Sequence, residues 1–192
     1  MNADPACAKQ HSQSPSDEVM IMGDAGELAN AFVYIKEGID TSLYRTEKLQ
    51  PVQLDQSGCL YQPRVMGLRV GQTLEIINSD PTMHNVHSMA DKNKTFNIAM
   101  ATKGQVIDKT FTRPEVMIPV KCDVHPWMRS YIGVVEHPHF KVTDSSGKYA
   151  FDSLPPGKYL IEVWHEKLGS KRAAVVIPKP GFKQSLDISF SE

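Results

Sequence analysis

The chain has 192 residues, a formal net charge of -1 and 41% hydrophobic residues. That length buries one good-sized core or two small ones without the need for staples. The near-neutral charge argues against a broad nucleic-acid or membrane-surface footprint, and no apolar run is long enough for a membrane-spanning helix.

Residues 1–18, "MNADPACAKQHSQSPSDE", are polar and broken by prolines, and read as an arm. The arm has neither a basic n-region nor an apolar centre, so an exported form would have lost its leader ahead of Met1. Beyond it the pattern is β. Short apolar or alternating runs at 28–35, 63–70, 73–78, 84–89, 94–100, 106–111 and 115–122 are bounded by Gly, Pro, Asn or Asp. Helical periodicity is weak throughout, with one faint run at 41–50. In the 115–122 run, Val116, Ile118, Val120 and Cys122 share a face, which places the Cys122 sulfur with the apolar side chains. Pro119 on the other face suggests an edge position or a bulge.

After "IGVVEHP" the strand pattern continues at 139–144, 147–154, 157–166, 171–178 and 184–190, divided by turn signals such as Pro155-Pro156-Gly157. The expected fold class is all-β, a Greek-key sandwich followed by a smaller C-terminal β-sandwich unit. The expected division is an arm at 1–18, a first domain at 19–137 with its core at 63–137, and a second unit at 138–192.

The segment "KCDVHPWMRS" sets Cys122, His125 and Met128 at equal spacing in one short loop. Upstream, "NSDPTMHNVHS" supplies His84 at the start of a strand. A thiolate, two imidazoles and a thioether form the trigonal set with a weak axial donor that suits copper cycling between Cu(II) and Cu(I). Hard cations would want carboxylates. The competing metal reading is zinc on His84, His87, Cys122 and His125. Met128 alternatively fills core. With Cys122 spent on a metal, the other cysteines, Cys7 and Cys59, form an even pair that suits a disulfide in an oxidising compartment, or else are two unrelated buried thiols.

"VGQTLEIINSDPTMHNVH" followed by "CDVHPWM" resembles the plastocyanin-like cupredoxins of the amicyanin type over roughly residues 63–137. The resemblance implies one copper ion held by His84, Cys122, His125 and Met128. It also implies a contact from the Asn85 backbone N–H to the sulfur. "MIPVK" before the cysteine departs from that family's aromatic strand end. Separately, Asp144, Gly147, Tyr149 and the stretch Leu154 to Tyr159 resemble the carboxypeptidase regulatory-like, or transthyretin-like, sandwich, without its first strands. That module would serve as a spacer or docking surface.

The function expected is one-electron transfer outside the cytoplasm, in a periplasmic setting, with redox proteins such as a cytochrome or a membrane redox complex as donor and acceptor. His125 would expose its ring edge as the exit, within a docking patch of Pro81, Met83, Pro126 and Trp127. A copper store or metallochaperone is the alternative, and a metal-free adhesion sandwich a further one. Nothing in the pattern supplies a nucleophile with its base or a phosphate loop, so an enzyme is not expected. His137 and His139 read as exposed linker imidazoles rather than a second metal site, and His165 as a hydrogen-bonded residue at a strand end. Cys7 with His11 offers a weakly preorganised chelate.

Overall fold

The structure, a computed structural model, describes residues 4–13, 18–45, 48–152 and 154–190. Its strands among these are β1 (Phe32–Glu37), β2 (Val52–Ser57), β3 (Leu60–Gln62), β4 (Val65–Arg69), β5 (Thr73–Asn78), β6 (His84–Ser88), β7 (Phe96–Met100), β8 (Gln105–Thr110), β9 (Glu115–Lys121), β10 (Arg129–Val135), β11 (Phe140–Val142), β12 (Gly157–His165) and β13 (Gly169–Ile177). Among the described residues helix is confined to α1 (Pro5–Ala8) and a 3-10 turn at Thr41–Tyr44, and the fold is all-β. The arm at 1–18 and the run at 41–50 are described only in part; residues 1–3, 14–17 and 46–47 lie outside the described set, and no longer helix forms at 41–45. Among the described residues no helix is long and apolar enough to cross a membrane.

The chain divides into two compact units, Met1–Asp17 with Glu47–Glu136, and Glu18–Thr46 with His137–Glu192. In the first, a five-stranded sheet of order β4-β10-β9-β6-β7 faces a four-stranded sheet of order β3-β2-β5-β8. The two inner faces close on one core: Leu54, Leu74 and Ile76 from the smaller sheet, and Leu68, Val86, Ile118, Val120, Ile132 and Val134 from the larger. Alternation explains the sorting, since β5 buries every second residue and β9 buries Ile118 and Val120 ahead of Cys122. β9 is an inner strand, not the edge suggested by Pro119. The proline is accommodated because β9 pairs with β6 only at Val120 and Lys121, so that Pro119 need only accept, taking the Met89 N–H at 2.9 Å; the register shift against β10 lies beyond it, between Ile132 and Val134.

In the second unit the sheet order is β11-β1-β12-β13. β1 is therefore central to it, paired with β11 from Phe32 to Tyr34 and with β12 from Phe32 to Glu37. The sequence reading placed residues 19–46 with the first domain; the structure assigns them to the second unit, where β1 lies between β11 and β12. Runs 147–154 and 184–190, expected as strands, pair with no strand among their described residues. Their apolar alternation is spent instead on packing: Tyr149, Phe151 and Leu154 with Leu186, Ile188 and Phe190 cover the core of Val33, Ile35, Ile161 and Val163. His137 and His139 are buried rather than exposed. His137 Nε2 donates to Ile35 O at 2.8 Å, its Nδ1 accepts from His139 N at 3.2 Å, and His139 Nε2 meets Tyr44 Oη at 2.8 Å. His165 Nδ1 accepts from Lys167 N, the hydrogen-bonded role expected of it.

Glu115, at the start of β9, accepts from the backbone N–H groups of Asp91, Lys92 and Asn93 and from Asn93 Nδ2, at 2.6–3.1 Å. Burial pushes its pKa up, but these donors together pull it further down, leaving it below the ordinary carboxylate range. A depressed folded pKa gives stability that is complete above the unfolded value of about 4.3 and is lost as pH falls through the folded one. Glu115→Gln is expected to cost about 1–3 kcal/mol near neutrality. Urea unfolding across a pH series checks this: the gap from the unsubstituted protein should narrow below about pH 4.

Candidate metal centre

The hairpin loop between β9 and β10 begins at Cys122 and ends at Met128, and it is closed on itself. Cys122 N donates to Met128 O at 3.2 Å, Met128 N donates to His125 O at 2.9 Å, and His125 N points at Cys122 Sγ from 3.4 Å. β6 runs antiparallel beside β9, with His87 opposite Lys121 and Ser88 opposite Val120, so His84 starts its strand at the same end of the sheet as the loop. One donor atom each from His84, Cys122 and His125 lies within 4.8 Å of the others. All are buried.

The rings are turned so that their Nδ1 atoms face each other at 2.9 Å, with Cys122 Sγ 3.7 Å from His125 Nδ1. Each outer nitrogen meets a carboxylate: His84 Nε2 at 2.8 Å from Asp80 Oδ2, and His125 Nε2 at 3.1 Å from Asp4 Oδ2. A carboxylate accepts, so each Nε2 donates, and in a neutral ring each Nδ1 then presents a lone pair. Two lone pairs and a sulfur directed at one point repel unless a cation lies between them. The residues thus fit a soft metal ion, and the absence of any carboxylate from the trio disfavours calcium or magnesium. Burial pushes the His84 pKa down by more than Asp80 draws it back, which keeps the imidazole neutral and able to coordinate.

Two further trios, Cys7–Cys59–His125 and Cys59–Asp80–His84, are equally compact. Both depend on sulfur already spent, because Cys7 and Cys59 form a disulfide. Cys122 is the free, buried thiol. The disulfide pairing matches the even-pair reading, and Cys7 does not chelate with His11, whose Nε2 instead meets Gly58 O at 2.6 Å. His87 lies outside the trio and pairs with Asp123 at 3.1 Å, so the structure does not assemble the four-ligand zinc set.

Met128 is fully buried, and its backbone holds the loop as described. Asn85 approaches the sulfur with its side chain rather than through the expected backbone donor: Oδ1 lies 3.3 Å from Cys122 Sγ and accepts from Asp123 N at 2.6 Å. Asn85 Nδ2 donates to Asn97 and Asp123, tying β6, β7 and the loop together. Lys121, then Asn97, His87 and Asn85, hold the Asp123 carboxyl far below the usual range, so it is ionised at neutral pH and pairs with the Lys121 ammonium at 3.0 Å.

Two expectations about the surface change. His125 does not expose its ring edge; it is 1% accessible, covered by Asp4 and Cys7, with the Trp127 ring 5.1 Å away. Trp127 is half-buried, and its Nε1 donates to Cys59 O at 3.0 Å. Pro81, Met83 and Pro126 are exposed as expected, and Val124 joins them.

Sequence reasoning missed Asp80. It is 1% exposed, and besides orienting His84 it accepts from Gly58 N at 2.8 Å and Cys59 N at 2.7 Å. The signal lay in the quoted "NSDPTMH", where Asp80 precedes His84 by one helical-turn spacing but was absorbed by its Asp-Pro turn. In Asp80→Ala the His84 ring should lose its fixed tautomer. Nitrogen-15 NMR of the metal-free protein is expected to show His84 protonated at Nε2 in the unsubstituted chain and a tautomer mixture in the variant.

No protein-family model and no curated protein matches the chain. Among solved structures it is similar to a Cu-containing nitrite reductase from Thermus scotoductus SA-01, at 25% identity and a TM-score of 0.43, covering 47% of this chain and 24% of that one. The chain thus spans about a quarter of that enzyme's length. It is similar to a methionine-to-alanine variant of amicyanin in the Cu(I) form, at 22% identity and a TM-score of 0.40 over 55% of this chain and 98% of that one. It is also similar to a purple cupredoxin from Nitrosopumilus maritimus, at 22% identity and a TM-score of 0.37 over 43% and 98%. The structural neighbours of this all-β chain are cupredoxins.

Proposed function

We propose that the first unit is a type 1 copper domain that carries single electrons outside the cytoplasm. The observation that carries the reading is the inward facing of two carboxylate-anchored imidazoles, 2.9 Å apart at Nδ1, beside a free buried thiol. His84, Cys122 and His125 would hold one copper ion, with Met128 as the weak axial donor, and bound copper would supply a reversible Cu(II)/Cu(I) couple.

The chain's own contribution is rigidity. Asp80 fixes the His84 ring and Asn85 fixes the first residues of the loop. The loop's internal hydrogen bonds keep Cys122, His125 and Met128 in register whichever charge the centre carries. A donor set that need not move between charge states suits electron transfer. A buried disulfide supports an oxidising, extracytoplasmic compartment. Donor and acceptor would be redox proteins, a cytochrome or a membrane redox complex, docking on a small apolar contact that includes Pro81, Met83 and Pro126.

Burial of His125 beneath the arm favours a second reading, a copper store or metallochaperone, because a covered ring suits retention. A store predicts exchangeable metal and a preference for one oxidation state; a carrier predicts a reversible couple with unchanged coordination.

Optical and EPR spectra of the protein loaded with cupric ion test the assignment. An intense visible sulfur-to-copper band is expected, and Cys122→Ser should abolish it; a band that survives the substitution rejects the ligand set. Met128→Leu should retain copper and raise the reduction potential, since loss of the axial donor favours the reduced ion, and an unchanged voltammogram would return Met128 to the core.

A further inference from the structure

The arm at residues 4–13 is attached to the metal centre by more than chain connectivity. Asp4 uses one carboxylate oxygen to cap α1, accepting from Ala6 N at 2.8 Å and Cys7 N at 3.2 Å, and the other to accept from His125 Nε2 at 3.1 Å. Cys7 Sγ lies 3.5 Å from the same nitrogen. The position of the carboxylate over His125 is therefore set by the seating of α1. A helix of four residues has no stability of its own. What seats it is the Cys7–Cys59 bond, helped by His11 on Gly58 O and by Gln10 Nε2 at 3.6 Å from Cys59 Sγ. Both bonded cysteines are fully buried, and His125 beneath them is 1% exposed.

We propose that residues 4–13 form a redox-latched lid over His125, closed while Cys7 and Cys59 are bonded and released when a dithiol reductant cleaves that bond. In the step, two electrons and two protons pass from the dithiol to the Cys7 and Cys59 sulfurs. The S–S bond breaks, two thiols form, and the reductant leaves as its own disulfide. With the latch open, α1 loses its tether, Asp4 loses its fixed place on Nε2, and the His125 ring edge becomes accessible beside exposed Val124 and Pro126. The covered ring and its latch stand on geometry alone. That opening admits an electron-transfer partner rests on the copper reading above.

The test uses the full-length, metal-free protein labelled with diethyl pyrocarbonate, with each histidine followed by peptide mass mapping. In the disulfide-bonded protein His125 is expected to react slowly. In the Cys7→Ser/Cys59→Ser double variant, and in the unsubstituted chain reduced with a phosphine, its rate should rise about tenfold or more while His84 stays slow. Equal rates at His125 with the latch closed and open would overturn the proposal. So would a parallel rise at His84, which would mean that the whole site, not the arm, had opened. Because no copper is present, failure here is distinct from failure of the cupric spectrum to show a sulfur-to-copper band.

Discussion

The facing of His84 Nδ1 and His125 Nδ1 is the constraint on which the rest of the first unit depends. Left to themselves, two buried neutral imidazoles would share a proton between these nitrogens and form an ordinary hydrogen bond. Here Asp80 and Asp4 hold the outer nitrogens, at 2.8 Å and 3.1 Å, and claim the proton on each ring. The inner nitrogens are left as lone pairs beside the Cys122 sulfur, an arrangement that costs free energy until positive charge enters it. Such an arrangement fits a cation, as the proposed function requires.

The sandwich makes that arrangement affordable by bringing remote residues to one end of one sheet. β6 and β9 are neighbours although their residues are far apart in sequence, and β10 returns antiparallel from the loop. Asn85 then does across the strands what the loop does within itself, since a single side-chain oxygen takes the Asp123 N–H and faces the sulfur. Tyr61 adds a further tie by donating to Asn85 O at 2.5 Å from the region of the opposite sheet. The donors thus hang on hydrogen-bonded backbone, and little of their geometry is left to rotamer choice.

Much of this was legible in the sequence because it follows from alternation. β5 coincides with its predicted run, and Cys122 lies inside for the reason its neighbours Ile118 and Val120 do. What was not legible has physical causes. β2 was missed because one of its inward positions is Gln56, fully buried with its amide donating to Ile77 O and lying 3.0 Å from Met100 Sδ, so the apolar alternation of the strand stops after Val52 and Leu54. β1 was read as a strand but given to the wrong unit, since its partner β12 lies more than a hundred residues on and pairing of that range leaves no local mark. The Tyr149 to Leu154 and Leu186 to Phe190 stretches show the converse, an alternating pattern that covers a sheet without joining it.

The burial of His125 was invisible for a related reason: a polar arm carries no periodicity to say where it lands. Its landing place is the turn at Gly58 and Cys59, both with left-handed φ, of 63° and 53°. For Cys59 that conformation is disfavoured and needs support from its surroundings. The support comes from several directions, with Asp80 accepting both backbone N–H groups, Trp127 donating to Cys59 O, and Cys7 bonded to its sulfur. Asp80 also orients His84, and Trp127 lies in the loop between Cys122 and Met128. One turn therefore joins the arm over His125 to the carboxylate behind His84, a set of contacts separate from the direct 2.9 Å approach of the two Nδ1 atoms.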